Sequence, residues 1–366
     1  MITRSRFLKL GIPVFFLYLA IAACGFSSSN SDTGNPSNLP NSGQELDPIA
    51  ANGPGFGRSD PIPLGTQISI PGWDVEVREF LRGADALKVI NTADWQAEPL
   101  PEDQEYALAK VFIRNTALDE SPHSLGISEL FITGDQYLAH GDTMDGWPQP
   151  EFLFEDMYTA ETVEGWVDAV VPKNEQNLEL VLDVENEDNR YTRFFTLDKA
   201  ASISLPEEFS KMHPNDLGSS MESPAGIGDV VITPDWEVTL LESIKGKNAE
   251  KILTKDNPNY QVPESGTERV LLKVHLKYLS QEDIPAWIGS DQFRALDSSG
   301  YSVQGNWIYT PQDREWIGNT VLPGADLEGW VAVTVPEVAG DALISFNPDI
   351  NTPGSSDQDL RYFQLN

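Results

Sequence analysis

Of the side chains that most often carry metal, redox or nucleic-acid chemistry, this 366-residue chain holds one cysteine, four histidines and 24 lysines plus arginines. Each shortage excludes something. With 57 acidic residues against those 24 basic ones the formal charge is −33, and such a surface repels a phosphate backbone instead of releasing its counterions, which argues against nucleic-acid binding. His123, His140, His213 and His275 show no His-x-x-x-His or related spacing, so no zinc site is expected. There is no Gly-x-Ser-x-Gly elbow and no cysteine placed as a nucleophile, and nothing matches a phosphate loop or a dinucleotide fingerprint. No long window carries a helical period, and the N-terminal apolar run, Leu10 to Ala23, would span only about 21 Å as a helix, short of the ~30 Å of a bilayer core.

That short run is instead the middle of an export signal. Arg4, Arg6 and Lys9 precede it, and it closes on Ile21-Ala22-Ala23-Cys24, which resembles the bacterial lipoprotein box, usually Leu-Ala/Ser-Gly/Ala-Cys, with Ile21 in the place of leucine. The expectation is that residues 1–23 are removed and that Cys24 carries the lipid. Each buried methylene contributes about 0.8 kcal/mol, so two or more chains hold the protein stably on the extracytoplasmic side of a membrane. Losing the three leader cations leaves 21 basic against 57 acidic residues, a mature charge of −36. No thiol then remains for a disulfide, and stability must come from apolar cores. Residues 24–60 are rich in Ser, Asn, Gly and Pro and are expected to be the lipidated cysteine followed by a disordered tether.

The rest of the chain matches itself at an offset of 163 to 164 residues. Gly72-Trp73-Asp74-Val75-Glu76-Val77 faces Asp235-Trp236-Glu237-Val238-Thr239-Leu240, Arg82-Gly83 faces Lys245-Gly246, and Tyr137 falls on Tyr301. Glu164-Gly165-Trp166-Val167 through Pro172 faces Glu328-Gly329-Trp330-Val331 through Pro336, and Phe195-Thr196-Leu197 meets Phe363-Gln364-Leu365. Two domains in tandem follow, at 61–199 and 224–366, with 200–223 as a linker holding one helical turn at 206–212. In the first copy, alternation and β-branched runs predict strands at 67–70, 73–80, 106–115, 129–133, 162–171, 178–184 and 191–197. Gly165 and Gly329 suggest a bulge or a close backbone approach. The fold class read from this is all-β, two antiparallel immunoglobulin-like β-sandwiches.

The layout Pro-Ile-Pro-Leu-Gly at 61–65, then Gly-Trp-Asp-Val-Glu-Val, a strand ending Val111-Phe-Ile-Arg-Asn115, and Glu-Gly-Trp-Val with a closing Val-Pro resembles the bacterial lipoprotein-associated family called domain of unknown function 4352. The second copy departs from it where Lys277-Tyr278 replaces the usual Lys-Asn. The resemblance implies an extracytoplasmic immunoglobulin-like sandwich and brings no catalytic residues with it.

Candidate sites are few. Trp73, Trp166, Trp236 and Trp330 recur between the copies and are expected in packing. Trp307, Tyr309 and Trp316, in a polar insertion of the second copy, and Trp147 in the first are candidates for an exposed aromatic platform, or else cover a sheet edge or a contact between domains. No cofactor is expected. The acidic clusters Asp183, Glu185, Glu187, Asp188 and Asp142, Asp145 each read either as a solvated turn or as a weak calcium site, and neither has the spacing of an EF-hand loop. The expectation is therefore a non-enzymatic, lipid-anchored binding protein or structural spacer, with a membrane and an unidentified protein or polysaccharide as partners. Its alternatives are a carbohydrate- or cell-wall-binding module and, further off, a hydrolase using paired carboxylates.

Overall fold

A computed structural model describes residues 53–365, apart from 93–98, 120, 126–128, 141–149, 151–155, 186–189, 199–202, 256, 298, 304–307, 309–313, 338–341 and 351–356. The described residues make one compact unit. The fold is all-β. The first copy contains β1 (Gln67–Ile70), β2 (Trp73–Arg82), β3 (Gln104–Asn115), β4 (Leu130–Thr133), β5 (Thr162–Pro172), β6 (Glu179–Glu185) and β7 (Arg190–Thr196), with a helix, α1 (Ala84–Ile90), between β2 and β3. They form a four-stranded sheet in the order β1-β2-β3-β5 and a three-stranded sheet in the order β4-β6-β7, with every pairing antiparallel.

The second copy repeats this plan. Its strands are β8 (Val231–Ile232), β9 (Trp236–Lys245), β10 (Thr267–Tyr278), β11 (Ala286–Gly289), β12 (Phe293–Leu296), β13 (Gly318–Val321), β14 (Asp326–Pro336), β15 (Leu343–Phe346) and β16 (Arg361–Gln364), with α2 (Gly246–Leu253) after β9. The sheets run β14-β10-β9-β8 and β12-β15-β16, and β11 and β13 add a two-stranded ribbon.

Each copy closes around its own core. Val75, Val77, Ala107, Val111, Ile113, Ile132, Leu180 and Phe195 meet between the sheets of the first, and Val238, Val274, Phe293, Val331, Ile344 and Phe363 between those of the second. The central strand β3 is apolar on both parities for two different reasons. Ala107, Ala109 and Val111 face the core, while Tyr106 and Leu108 turn outward into a second cluster with Ala86, Ile90 and Trp166 beneath α1. Trp73 and Trp236 lie in the sandwich cores, the latter stacked on Tyr278 at 4.6 Å. Trp166 and Trp330 instead pack on the outer face under the helices.

Several expectations change. The helices α1 and α2, of 7 and 8 residues, are too short to imprint a period on the sequence. The bulge does not fall at Gly165 or Gly329, which pair regularly with Val111 and Val274; Arg78 and Leu241 are the extra residues, at equivalent points of β2 and β9. Gly329 is the close approach, because a β-carbon there would stand 2.8 Å from Ile317 Cδ1 and 2.9 Å from the Glu315 carbonyl. Residues 53–60, expected in the tether, belong to the folded body: Phe194 donates to the Gly55 carbonyl at 2.8 Å, and Ile62 donates back to Phe194 at 2.8 Å. Gly218 and Ala225 repeat both bonds with Tyr362, so the second copy begins inside the stretch expected to be linker.

Candidate binding surfaces

The strands bring two surfaces to notice: the seam between the copies, and a cleft on the second copy. At the seam, the outward residues Phe131, Val181 and Phe194 stand in one register row across β4, β6 and β7, and they enclose Leu322. Loop residues Tyr137–Ala139 pair with the end of β13. Ala139 donates to the Thr320 carbonyl at 2.9 Å, Leu322 donates to that of Tyr137 at 2.8 Å, and Leu138 opposes Val321.

Arg58 locks this contact. Its backbone N–H and its Nε reach the two carboxylate oxygens of Asp283 at 3.0 and 2.9 Å, and its Nη2 reaches both Asp283 Oδ1 at 2.7 Å and the Pro323 carbonyl at 2.5 Å. The guanidinium lies 5.1 Å from the centre of the Tyr137 ring, and the Arg58 carbonyl accepts from Ile203 at 3.0 Å. Two nitrogens of one planar fork, Nε and Nη2, converge on the single oxygen Oδ1 while the backbone N–H takes Oδ2, a grip that arginine offers and lysine does not. Glu179, the first residue of β6, is fully buried nearby with neither carboxyl oxygen hydrogen-bonded among the described residues. Burial, with the Asp283 charge adding to it and Arg58 opposing it, pushes its pKa up to about 8.

The cleft, about 370 Å³, is lined by Trp287, Asp291, Phe293, Arg294, Ile308 and Trp316 among others. Trp287 is 52% exposed. Its indole lies over the paired glycines Gly289 and Gly318 of β11 and β13, where a β-carbon would stand 3.3 Å from Nε1 and 4.0 Å from Cη2. Bare backbone thus lets the ring lie flat with one face open. Its Nε1 donates to Asp291 Oδ1 at 3.4 Å, and Arg294 Nε donates to the Asp291 carbonyl at 3.2 Å. Flat rings, a cation and a carboxylate suit a cyclic, polar-edged ligand.

Of the predicted platform, only Trp316 lies among the described residues, and it lines this cleft; Trp147, Trp307 and Tyr309 lie outside them, as do Cys24, Asp142, Asp145, Glu187 and Asp188. Trp287 went unpredicted, and one signal would have found it. Leu125 and Ile288 are equivalent buried residues, yet beside them the first copy has exposed Ser124 where the second has Trp287. A tryptophan that its own duplicate lacks is not needed by the shared core. Asp183, expected in an acidic cluster, is held by Arg190 at 2.8 and 2.5 Å and by the Thr192 hydroxyl at 2.8 Å. Among the described residues, no group of three His, Cys, Asp or Glu side chains is placed to hold a metal ion, and no helix is long and apolar enough to cross a membrane.

No family model and no curated protein matches the chain. Among solved structures, it is similar to the ycdA protein of Bacillus subtilis at 16% identity over 37% of this chain and 39% of that one, with a TM-score of 0.28. The yjhA protein of Bacillus subtilis matches at 15% identity over 37% of this chain and 99% of its own, with a TM-score of 0.28. An uncharacterized β-sandwich protein of Clostridium difficile 630 matches at 12% identity over 38% of this chain and 96% of its own, with a TM-score of 0.25. The chain thus spans well under half the length of the first of these, and likenesses this distant carry no argument about activity.

Proposed function

We propose that the chain is a lipid-anchored, non-enzymatic protein of the bacterial cell envelope that works by contact. On this reading Cys24 holds it to the membrane, the residues up to about 52 lift it clear, and the two locked sandwiches present a binding surface on the extracytoplasmic side. The likeness of both copies to the domain-of-unknown-function family, and the leader ending in Ala23-Cys24, support the setting. The observation that carries the binding role is Trp287, a half-exposed indole laid over a glycine pair at a cleft, where the half of the ring that faces water contributes nothing to the fold and is free to meet a ligand.

The same ring favours one ligand class over others. Stacking of a sugar face on an indole, with Asp291 and Arg294 at the rim for hydroxyl groups, fits a cell-wall or capsular polysaccharide. The test is retention of the full chain, in mild detergent, on insoluble cell-wall material and on a glycan array, beside the Trp287→Ala variant. Loss of retention in the variant supports the reading. Equal retention of both proteins on every glycan would remove the cleft from consideration.

A further inference from the structure

The seam inside the chain has counterparts at both ends of the folded unit, and among the described residues each presents large side chains to solvent, Tyr158 and Leu118 at one and Tyr301 and Met221 at the other, around a central Ser345 that is itself buried. The turn that places Leu322 recurs in the first copy: Gly324 donates to the Tyr278 carbonyl at 2.9 Å and Ala325 to that of Leu322 at 3.0 Å, and Ala160 and Glu161 repeat these bonds to Asn115 and Tyr158 at 2.8 and 3.0 Å. The counterpart of enclosed Leu322 is therefore Tyr158, which is 56% exposed, with Leu118 beside the same end of the sandwich 97% exposed. This is an unused plug.

The receiving surface also recurs. Register pairing sets Arg294, Ser345 and Tyr362 of β12, β15 and β16 in the row that Phe131, Val181 and Phe194 occupy in the first copy. The loop bonds His140 to Ile132 and Tyr137 to Gly134 recur as Val303 to Ala295 and Gly300 to Asp297. Tyr301 is thus the counterpart of Leu138, one residue off the match read from the sequence, and it is 74% exposed. Met221 stands where Arg58 stands, 40% exposed and against Gly300. Both surfaces differ from the inner seam in the same sense. Tyrosine stands in place of leucine on the plug, and arginine and serine in place of phenylalanine and valine in the socket. A guanidinium attracts the face of a phenol ring, so a tyrosine plug suits a socket that holds Arg294.

We propose that the occupant of this second socket is the Tyr158 end of another copy of the chain, so that molecules dock head to tail in the way the two domains already dock within one molecule. Such a contact joins unlike surfaces and does not close by two-fold symmetry, so it propagates into rows. The Tyr158 N–H, which donates to its own Glu161 Oε2 at 2.7 Å in the single chain, exchanges that bond for one to the Gly300 carbonyl, as Leu322 does to Tyr137. The mature charge of −36 opposes the contact at low ionic strength, and screening relieves that repulsion.

The experiment is thiol cross-linking of the full chain in whole cells, under a mild oxidant. A chain carrying both Tyr158→Cys and Ser302→Cys, the counterparts of Leu322 and Ala139, which pack on one side of the paired strands at the seam, is expected to give a ladder of dimers, trimers and longer species on a non-reducing gel, stronger at high salt. Co-production of the two single variants gives dimers alone, and either single variant by itself gives neither. Adding Leu118→Asp to the double variant removes the ladder while the monomer stays exported. A control cysteine at exposed Leu87 gives no cross-link. No ladder from the exported double variant, or a dimer of equal yield from Tyr158→Cys alone, would overturn the proposal.

Discussion

Replacing Glu179 by glutamine should remove a component of about 3 kcal/mol from the pH dependence of stability between pH 5.5 and 8. The carboxyl is fully buried, lacks a hydrogen-bond partner among the described residues, and has its pKa raised from 4.5 to about 8, first by desolvation and then by the Asp283 charge. Between those two values the folded protein keeps a proton that the unfolded chain has already released. Stability therefore falls as the pH rises through that window, by at most about 1.4 kcal/mol per pH unit. At pH 5.5 the accumulated loss is about 1 kcal/mol and at pH 8 about 4 kcal/mol, so the two pH values should differ by roughly 3 kcal/mol in the native protein. In the Glu179→Gln variant that component of about 3 kcal/mol disappears from the difference between the two pH values. Raised carboxyls elsewhere, such as Asp235 and Asp349, are present in both proteins and cancel. Urea denaturation of both proteins at the two pH values reads the effect directly. The absolute offset between them matters less, because a buried amide has its own unmet hydrogen bonds. Parallel profiles would refute the reasoning and place Glu179 in contact with water or a partner.

Arg58→Ala should cost about 3 to 5 kcal/mol, the range for breaking a buried ion pair, and should split a single thermal transition into two by calorimetry; Arg58→Lys should recover less than half of the loss. Leu322→Ala should cost about 2 to 5 kcal/mol through the cavity it leaves among Phe131, Val181 and Phe194, measured by the same denaturation. Trp287→Ala should change stability by no more than about 1 kcal/mol, because the ring is half exposed, while lowering intrinsic fluorescence. Cys24→Ala should abolish incorporation of radiolabelled palmitate and leave the leader attached, as read from the mass of the purified protein.

The strands were legible because a half-buried strand writes its burial into alternate residues. The seven expected in the first copy lie within two residues of β1 to β7 at each end, and the duplication gave the second copy by analogy. What escaped detection is non-local. Gly53 to Asp60 has the composition of a tether, and what makes Arg58 a buried residue lies far along the chain, above all a carboxylate 225 positions away, Asp283. Local sequence carries no trace of that. The cleft was half visible: Trp316 was singled out by its polar, proline-containing surroundings, whereas Trp287 sits in an ordinary strand and stands out only when each copy is compared with the other.

Arg58 lies where the polypeptide enters the folded body, and it grips the second sandwich before the first has formed its opening strand. A pull applied at the N-terminal end would consequently meet Asp283, Pro323 and the backbone of Phe194 together. Tension is shared between both modules at the point of entry and is not concentrated on β1, so the molecule resists being unzipped from its N-terminal end.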